Sequence, residues 1–197
     1  MASAERLSPI TVDDYLAGEL HARSKHEYVA GMVYGMAGGT YAHNLVASNV
    51  LGELHAKLKG KPYRALNSDS KVRVQSGTYT RFYYPDASIV CGENVLDDVF
   101  QDKPTVIVEV LSESTRRTDE GEKLEAYQKI PTLNVYILFE QDLAAAVVYR
   151  RVSREFIREV YFDLKTTINL PEIDAVLQLA SVYEEVDFVS ESEDATY

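Results

Sequence analysis

The stretch that most constrains this chain is Thr105-Val-Ile-Val-Glu-Val-Leu111. Its β-branched, apolar run predicts a central strand buried on both faces. Glu109 lies inside it. A carboxylate at a buried position carries a desolvation cost and needs a partner. Pro85-Asp86 interrupts a second apolar stretch, Tyr83–Val90, read as one strand. A metal ion is the partner that best suits two acidic side chains brought together from adjacent strands. Side chains alternate along a strand, so Ile107, Glu109 and Leu111 share one face and Val106, Val108 and Val110 the other. Two plainer readings stay open. Glu109 could pair with Arg116 or Arg117 in a structural bridge, and Asp86 could cap a turn after Pro85.

The rest of the chain supplies a scaffold for that strand. Thr11-Val-Asp-Asp14 reads as an N-cap opening a short helix to about Gly18. His26–Val29 and Met32–Met36 read as a hairpin around Ala30-Gly31. From Thr40 to Lys59 the positions Leu45, Val46, Val50, Leu51, Leu54 and Leu58 recur at helical spacing, with Gly60 as the C-cap. Strands are expected near 63–66, 71–74, 133–139, 144–149 and 156–162. A polar loop spans Gly92–Lys103, a helix Asp119–Lys129, and a short helix lies near Ala180–Glu185. The tally is α/β, a central mixed β-sheet flanked by helices.

The length of 197 residues suits one domain, taken as residues 1–186. Residues 187–197 are acidic, carry no base and read as a disordered tail. No apolar run approaches the roughly 20 residues of a membrane span. The opening Met-Ala-Ser-Ala-Glu-Arg lacks a basic region followed by an apolar one, so a signal peptide is not expected. Cys91 is the single cysteine, which leaves no disulfide within the chain and makes a reducing cytoplasm the default. The net charge of −11 argues against simple binding to a phosphate backbone. A nucleic-acid site would have to be local and aided by cations. Arg64, Lys71 and Arg73 form a possible basic strip, or simply solvated strand faces.

On the helix from Asp119, the side chains of Asp119, Lys123 and Tyr127 share one face. Lys123 could reach a site built by Asp86 and Glu109. Spacing alone favours a solvent-facing Lys123 paired with Asp119. Glu27 starts a strand made otherwise of Tyr and Val, where a lone Glu is usually exposed. His43, in the first turn of the long helix, reads as a surface or capping residue. Gly38-Gly39-Thr40 lacks a phosphate-loop lysine and reads as turn chemistry.

Several blocks taken together carry a resemblance. They are Ser24–Gly31, Ala42-His-Asn44, Ser68-Asp69, Tyr84–Val90, Val108–Ser112 with Ser114-Thr115, and Asp119–Lys123 with Tyr127. From about residue 8 to 183 the chain resembles the Uma2 family of restriction-endonuclease-like proteins, which is similar in fold to PD-(D/E)xK nucleases. In that signature a Lys stands two residues after the Glu. Here Leu111 holds the place, and the resemblance implies that the lysine has moved to the helix as Lys123. It further implies Asp86 and Glu109 as ligands of Mg²⁺ or Mn²⁺, and Glu27 as an accessory acid. The backbone carbonyl of Val110 would be a further ligand, as in similar nucleases. The expected activity is hydrolysis of phosphodiester bonds, in DNA first of all, by a homodimer. The alternative is a nuclease fold kept as a binding or assembly module without chemistry. Glu113 departs from the family's Ser-Pro-Ser-Thr loop, which alters the loop and not the ligands.

Overall fold

The computed structural model describes residues 9–92, 95 and 97–188. The opening residues 1–8, positions 93, 94 and 96 of the polar loop, and tail residues 189–197 lie outside the described residues. Helix α1 (Val12–Glu19) starts at Thr11, whose hydroxyl accepts from the Asp14 amide at 3.1 Å. Strands β1 (His26–Val29) and β2 (Met32–Gly35) form the expected hairpin. Ala30 and Gly31 both have positive φ, the turn geometry that suits the strands' twist. Helix α2 (Tyr41–Leu58) is capped by Thr40.

Then come β3 (Tyr63–Asn67), β4 (Lys71–Ser76), β5 (Tyr79–Tyr83), β6 (Ala87–Cys91), β7 (Phe100–Gln101) and β8 (Pro104–Leu111). A π-helical turn, Thr118–Lys123, runs into α3 (Leu124–Tyr127). Strands β9 (Val135–Glu140), β10 (Ala145–Val152) and β11 (Glu155–Phe162) form a meander. A ribbon of β12 (Thr167–Leu170) and β13 (Ala175–Gln178) precedes α4 (Leu179–Val182).

The central six-stranded sheet has the order β11-β10-β9-β8-β6-β3. It is mixed, because β8 runs parallel to β9 and antiparallel to β6. A second sheet has the order β2-β1-β5-β4-β7. The stretch 83–90, expected as one strand, is therefore divided between two sheets. Tyr83 ends β5 in the second sheet and Ala87 begins β6 in the central one, with Pro85-Asp86 at the crossing. Proline offers no N–H to a ladder and restricts the residue before it, so both ladders stop there.

Every residue of β8 is buried. Val106, Val108 and Val110 pack with Val46, Val50 and Leu54 of α2 in the larger core. Ile107 and Leu111 face a second core built with Val72 and Val74 of β4, Tyr83, Tyr127 and Tyr136. Leu111 is fully buried there. The alternation read from sequence holds, and it aims Glu109 into the space between the two sheets. Residues Val186 and Phe188 pack against the larger core, with the Phe188 ring 5.4 Å from that of Tyr183.

Candidate active site

Asp86 stands at the crossing between the sheets, and the backbone of β8 fixes it there. The Val110 N–H donates to Asp86 Oδ2 at 2.7 Å. His43 brings Nε2 to 3.3 Å from the same oxygen. Its ring also meets the Val110 carbonyl. Thr40 anchors this end of α2, since its hydroxyl accepts from the His43 amide at 3.2 Å. The His43 reading as a surface or capping residue is thus corrected. Its backbone lies in the capped turn, while its imidazole is the ionic partner of Asp86.

The hydrogen bond to Asp86 raises the His43 pKa above the ordinary 6.5, against the opposing effect of burial. The Asp86 charge and the Val110 carbonyl add to the rise. A folded-state pKa raised in this way gives stability that is present below pH 6.5 and lost as pH rises through the raised value. Gly39 leaves room for the ring. A Cβ at position 39 would stand 2.7 Å from His43 Nδ1. Gly39→Ala is therefore expected to push the imidazole off Asp86 and return its titration toward the ordinary value. Imidazole NMR across a pH series measures this, and an unchanged His43 titration in the variant would count against the contact.

Glu109 meets Lys123 a short way off. Lys123 Nζ lies 3.1 Å from Glu109 Oε1, 3.1 Å from Asp119 Oδ1 and 3.1 Å from Glu27 Oε1. The Tyr127 hydroxyl also donates to Glu109 Oε1, at 3.2 Å. Lys123 is 6% exposed, Glu109 4% and Asp119 1%. The expectation of a solvent-facing Lys123 is therefore overturned. Its pairing with Asp119 is real, and it is buried together with two further acids. The Arg116 bridge to Glu109 is absent, because Arg116 pairs with Glu140 and Glu120 and Arg117 is exposed.

The π-turn places this lysine. Asp119 and Lys123 both lie on it, and the Tyr136 hydroxyl holds it by donating to the Asp119 carbonyl at 3.1 Å. Single π-turns of this kind are frequent at functional sites. Tyr83, Tyr127 and Tyr136 stack edge to face at 5.4 and 5.3 Å, forming an aromatic wall beside the ion cluster. The Tyr83 hydroxyl donates to Glu122 at 2.7 Å.

The cluster has more acid than base. Glu27, Asp86, Glu109 and Asp119 face one ammonium and one imidazole. Burial raises the Glu109 pKa well above its ordinary value, with Lys123 opposing and the other acids adding to the rise. Burial works against the Lys123 ammonium, yet Glu109, Asp119 and Glu27 together outweigh it and hold its pKa high. Glu27 Oε1 and Asp119 Oδ1 make no aligned hydrogen bond, although each lies near the ammonium. An acid-rich, oxygen-lined site with underused donors suits a hard divalent cation. Among the described residues no group of three or more Asp, Glu, His or Cys side chains is placed so that it could hold a metal ion.

The structure brings Glu27, Glu109 and Lys123 into contact and sets Asp86 against the Val110 backbone, the four positions that the resemblance implied, whereas spacing alone read Lys123 and Glu27 as exposed. Neither reading singled out His43, whose signal was its place in the Ala42-His-Asn44 block. The possible basic strip does not form. Arg73 is paired with Asp102 at 2.7 and 2.6 Å, Arg64 turns back onto the carbonyls of Lys61 and Tyr63, and Lys71 is buried.

Residues 12–181 match the profile of the Uma2 family, described as "Putative restriction endonuclease". Two proteins of Synechocystis sp. are similar along most of the chain. Uncharacterized protein slr1290 is 32% identical over 148 residues, covering 74% of this chain and 75% of its own. Uncharacterized protein sll1609 is 28% identical over 147 residues, covering 73% and 82%. The fold is similar to a crystal structure of "a putative nuclease belonging to DUF820" from Anabaena variabilis. The TM-score is 0.68 at 17% identity, over 89% of this chain and 98% of that one.

Proposed function

The chain belongs to the Uma2 family, and on that premise we propose that it is a metal-dependent endonuclease acting on nucleic-acid phosphodiester bonds. The observation that carries the reading is the convergence of Asp86, Glu109 and Lys123 between the two sheets, from a loop, a strand and a π-turn. Asp86 and Glu109, with the Val110 carbonyl, are the groups that would hold Mg²⁺ or Mn²⁺. A bound ion of this kind supplies Lewis-acid polarisation of the phosphate and a water of lowered pKa.

The side chains divide the remaining work. Glu109 orients the Lys123 ammonium, and Asp119 and Glu27 keep it charged. A fixed ammonium beside the scissile phosphate stabilises the negative charge that develops on its oxygens. Val110 N–H holds the Asp86 carboxylate in one orientation. His43, when protonated, would balance the Asp86 charge in the absence of substrate and cation.

One observation favours the alternative, a nuclease fold used for binding alone. Glu109 is nearly closed off, and its Oε1 already accepts from both Lys123 and Tyr127. Two measurements separate the readings. Purified protein is incubated with plasmid, single-stranded DNA and RNA, with Mg²⁺ or Mn²⁺ against chelator, and cleavage is expected only with metal. The same ions are expected to raise the thermal midpoint, because they bind the folded state and relieve carboxylate repulsion. Glu109→Ala should abolish that rise. A protein that gains no stability from either ion and cuts none of the substrates is a binding module.

A further inference from the structure

Away from the carboxylate cluster, a cavity of about 300 Å³ is lined by Glu19, Arg23, Lys25, Asp69, Lys71 and Tyr84 among others. Lys71 begins β4 and is 6% exposed. A buried ammonium needs a counter-charge. Its close neighbours are aromatic faces, Tyr84 at 5.4 Å and Tyr15 at 5.9 Å from the ring centres. Such contacts compensate a buried charge only in part. Among the described residues no carboxylate comes within ion-pair distance of Lys71, and the charge that acts on it from further off is Glu19.

The acids in the wall are already engaged. Glu19 Oε1 accepts from the His26 N–H at 2.9 Å and the Tyr84 hydroxyl at 2.9 Å, and Glu19 Oε2 lies 3.1 Å from His26 Nδ1. Asp69 pairs with Lys25 at 2.9 Å. Lys25 also donates to the Ser68 carbonyl and hydroxyl. Arg23 is exposed and forms no hydrogen bond or ion pair among the described residues. The wall holds three cations, Arg23, Lys25 and Lys71, against two acids, Glu19 and Asp69, and neither Lys71 nor Arg23 has a carboxylate at contact distance among the described residues.

We propose that this cavity binds a phosphate group, with Lys71 and Arg23 as its cationic contacts. A phosphate monoester or free phosphate carries between one and two negative charges at neutral pH, which suits a wall with one positive charge in excess and two cations free of contact ion pairs. A guanidinium fork and an ammonium point charge are the side chains suited to phosphate oxygens. The volume lies at the small end of ligand pockets, which fits phosphate alone or on a nucleotide-sized carrier. Burial lowers the Lys71 pKa against the opposing Glu19 charge, and an arriving phosphate would offset the remaining desolvation. The site shares no side chain with the Asp86 cluster, so it stands apart from the nuclease reading.

The test is thermal denaturation of the full chain in chelator. Inorganic phosphate or a nucleoside 5′-monophosphate is titrated against chloride at matched ionic strength. Both phosphates are expected to raise the midpoint of the parent saturably. Lys71→Met keeps the apolar stem and removes the charge, and should lose the saturable rise. Lys71→Arg should keep it. Arg23→Ala, at an exposed position, should weaken binding several-fold and gives a reading even if Lys71→Met does not fold. A stronger response to the monophosphate assigns the site to nucleotide ends, and an equal one to free phosphate. A parent without a saturable response overturns the proposal, as does a Lys71→Met or Arg23→Ala protein that responds like the parent.

Discussion

Lys123→Met is expected to destabilise the fold by about 3–5 kcal/mol, the usual cost of removing one partner from a buried ion cluster. Three carboxylates lie 3.1 Å from this ammonium, and the variant leaves them buried without it. For a domain of ordinary stability, about 5–15 kcal/mol, that is a large share. The deficit should depend on pH. Burial already raises the Glu109 pKa against the pull of Lys123, so without the ammonium Glu109 binds its proton still more readily in the folded state than in the unfolded one. Stability from such a raised pKa is present below the ordinary carboxylate range and lost as pH rises, so the variant should be weakest at alkaline pH. Urea titration at several pH values gives the number. Adding Glu109→Gln to Lys123→Met should recover part of the loss, as a double-mutant cycle between contacting residues reports. A loss under about 1 kcal/mol, the scale of an exposed pair, would show that the ammonium is not locked in the cluster.

Asp86→Asn is expected to lower metal-dependent cleavage at least about 100-fold, near 3 kcal/mol in the transition state, with little change in stability. The amide keeps an oxygen to accept from the Val110 N–H, so the carboxylate's position is preserved and only its charge is lost. Asp86 is also more open than Glu109, its side chain 17% exposed. Removing its charge strands no second buried carboxylate, and the His43 imidazole that it faces can respond by shedding its proton, with its pKa falling back toward the ordinary value. Charge loss without misplacement makes this the cleaner probe of the proposed cation site. The readout is single-turnover cleavage of plasmid with Mg²⁺ or Mn²⁺, alongside the thermal midpoint. Cleavage by Asp86→Asn at the parental rate would remove Asp86 from the chemistry, whatever the stability data show.

The two variants probe features that were unequally visible in the linear chain. The burial of β8 and the face to which Glu109 points follow from a period-two pattern of β-branched residues, which is a local property. The same holds for α2, whose apolar positions and Thr40 cap are near one another in sequence. Tyr83–Val90 was harder. Both halves are apolar and alternate, so nothing local says that one half pairs with β1 and β4 and the other with β3 and β8. The β12–β13 ribbon was missed for a similar reason, since its short strands are held by packing against the larger core.

What the sequence determined by itself was the α/β character, the buried central strand and the anomaly of Glu109 within it. Those rest on hydrophobic periodicity and on the cost of burying a charge, which act wherever the strand ends up. Only the tertiary structure decided which groups answer that charge. On spacing, Lys123 had one visible neighbour, Asp119, and a solvated pair was the simpler account. Glu27 and Glu109 reach the same ammonium from β1 and β8, and His43 reaches Asp86 from α2. Ion pairing of this kind is set by distances of a few ångströms between elements far apart in the chain, and those distances exist only once the two sheets close on each other.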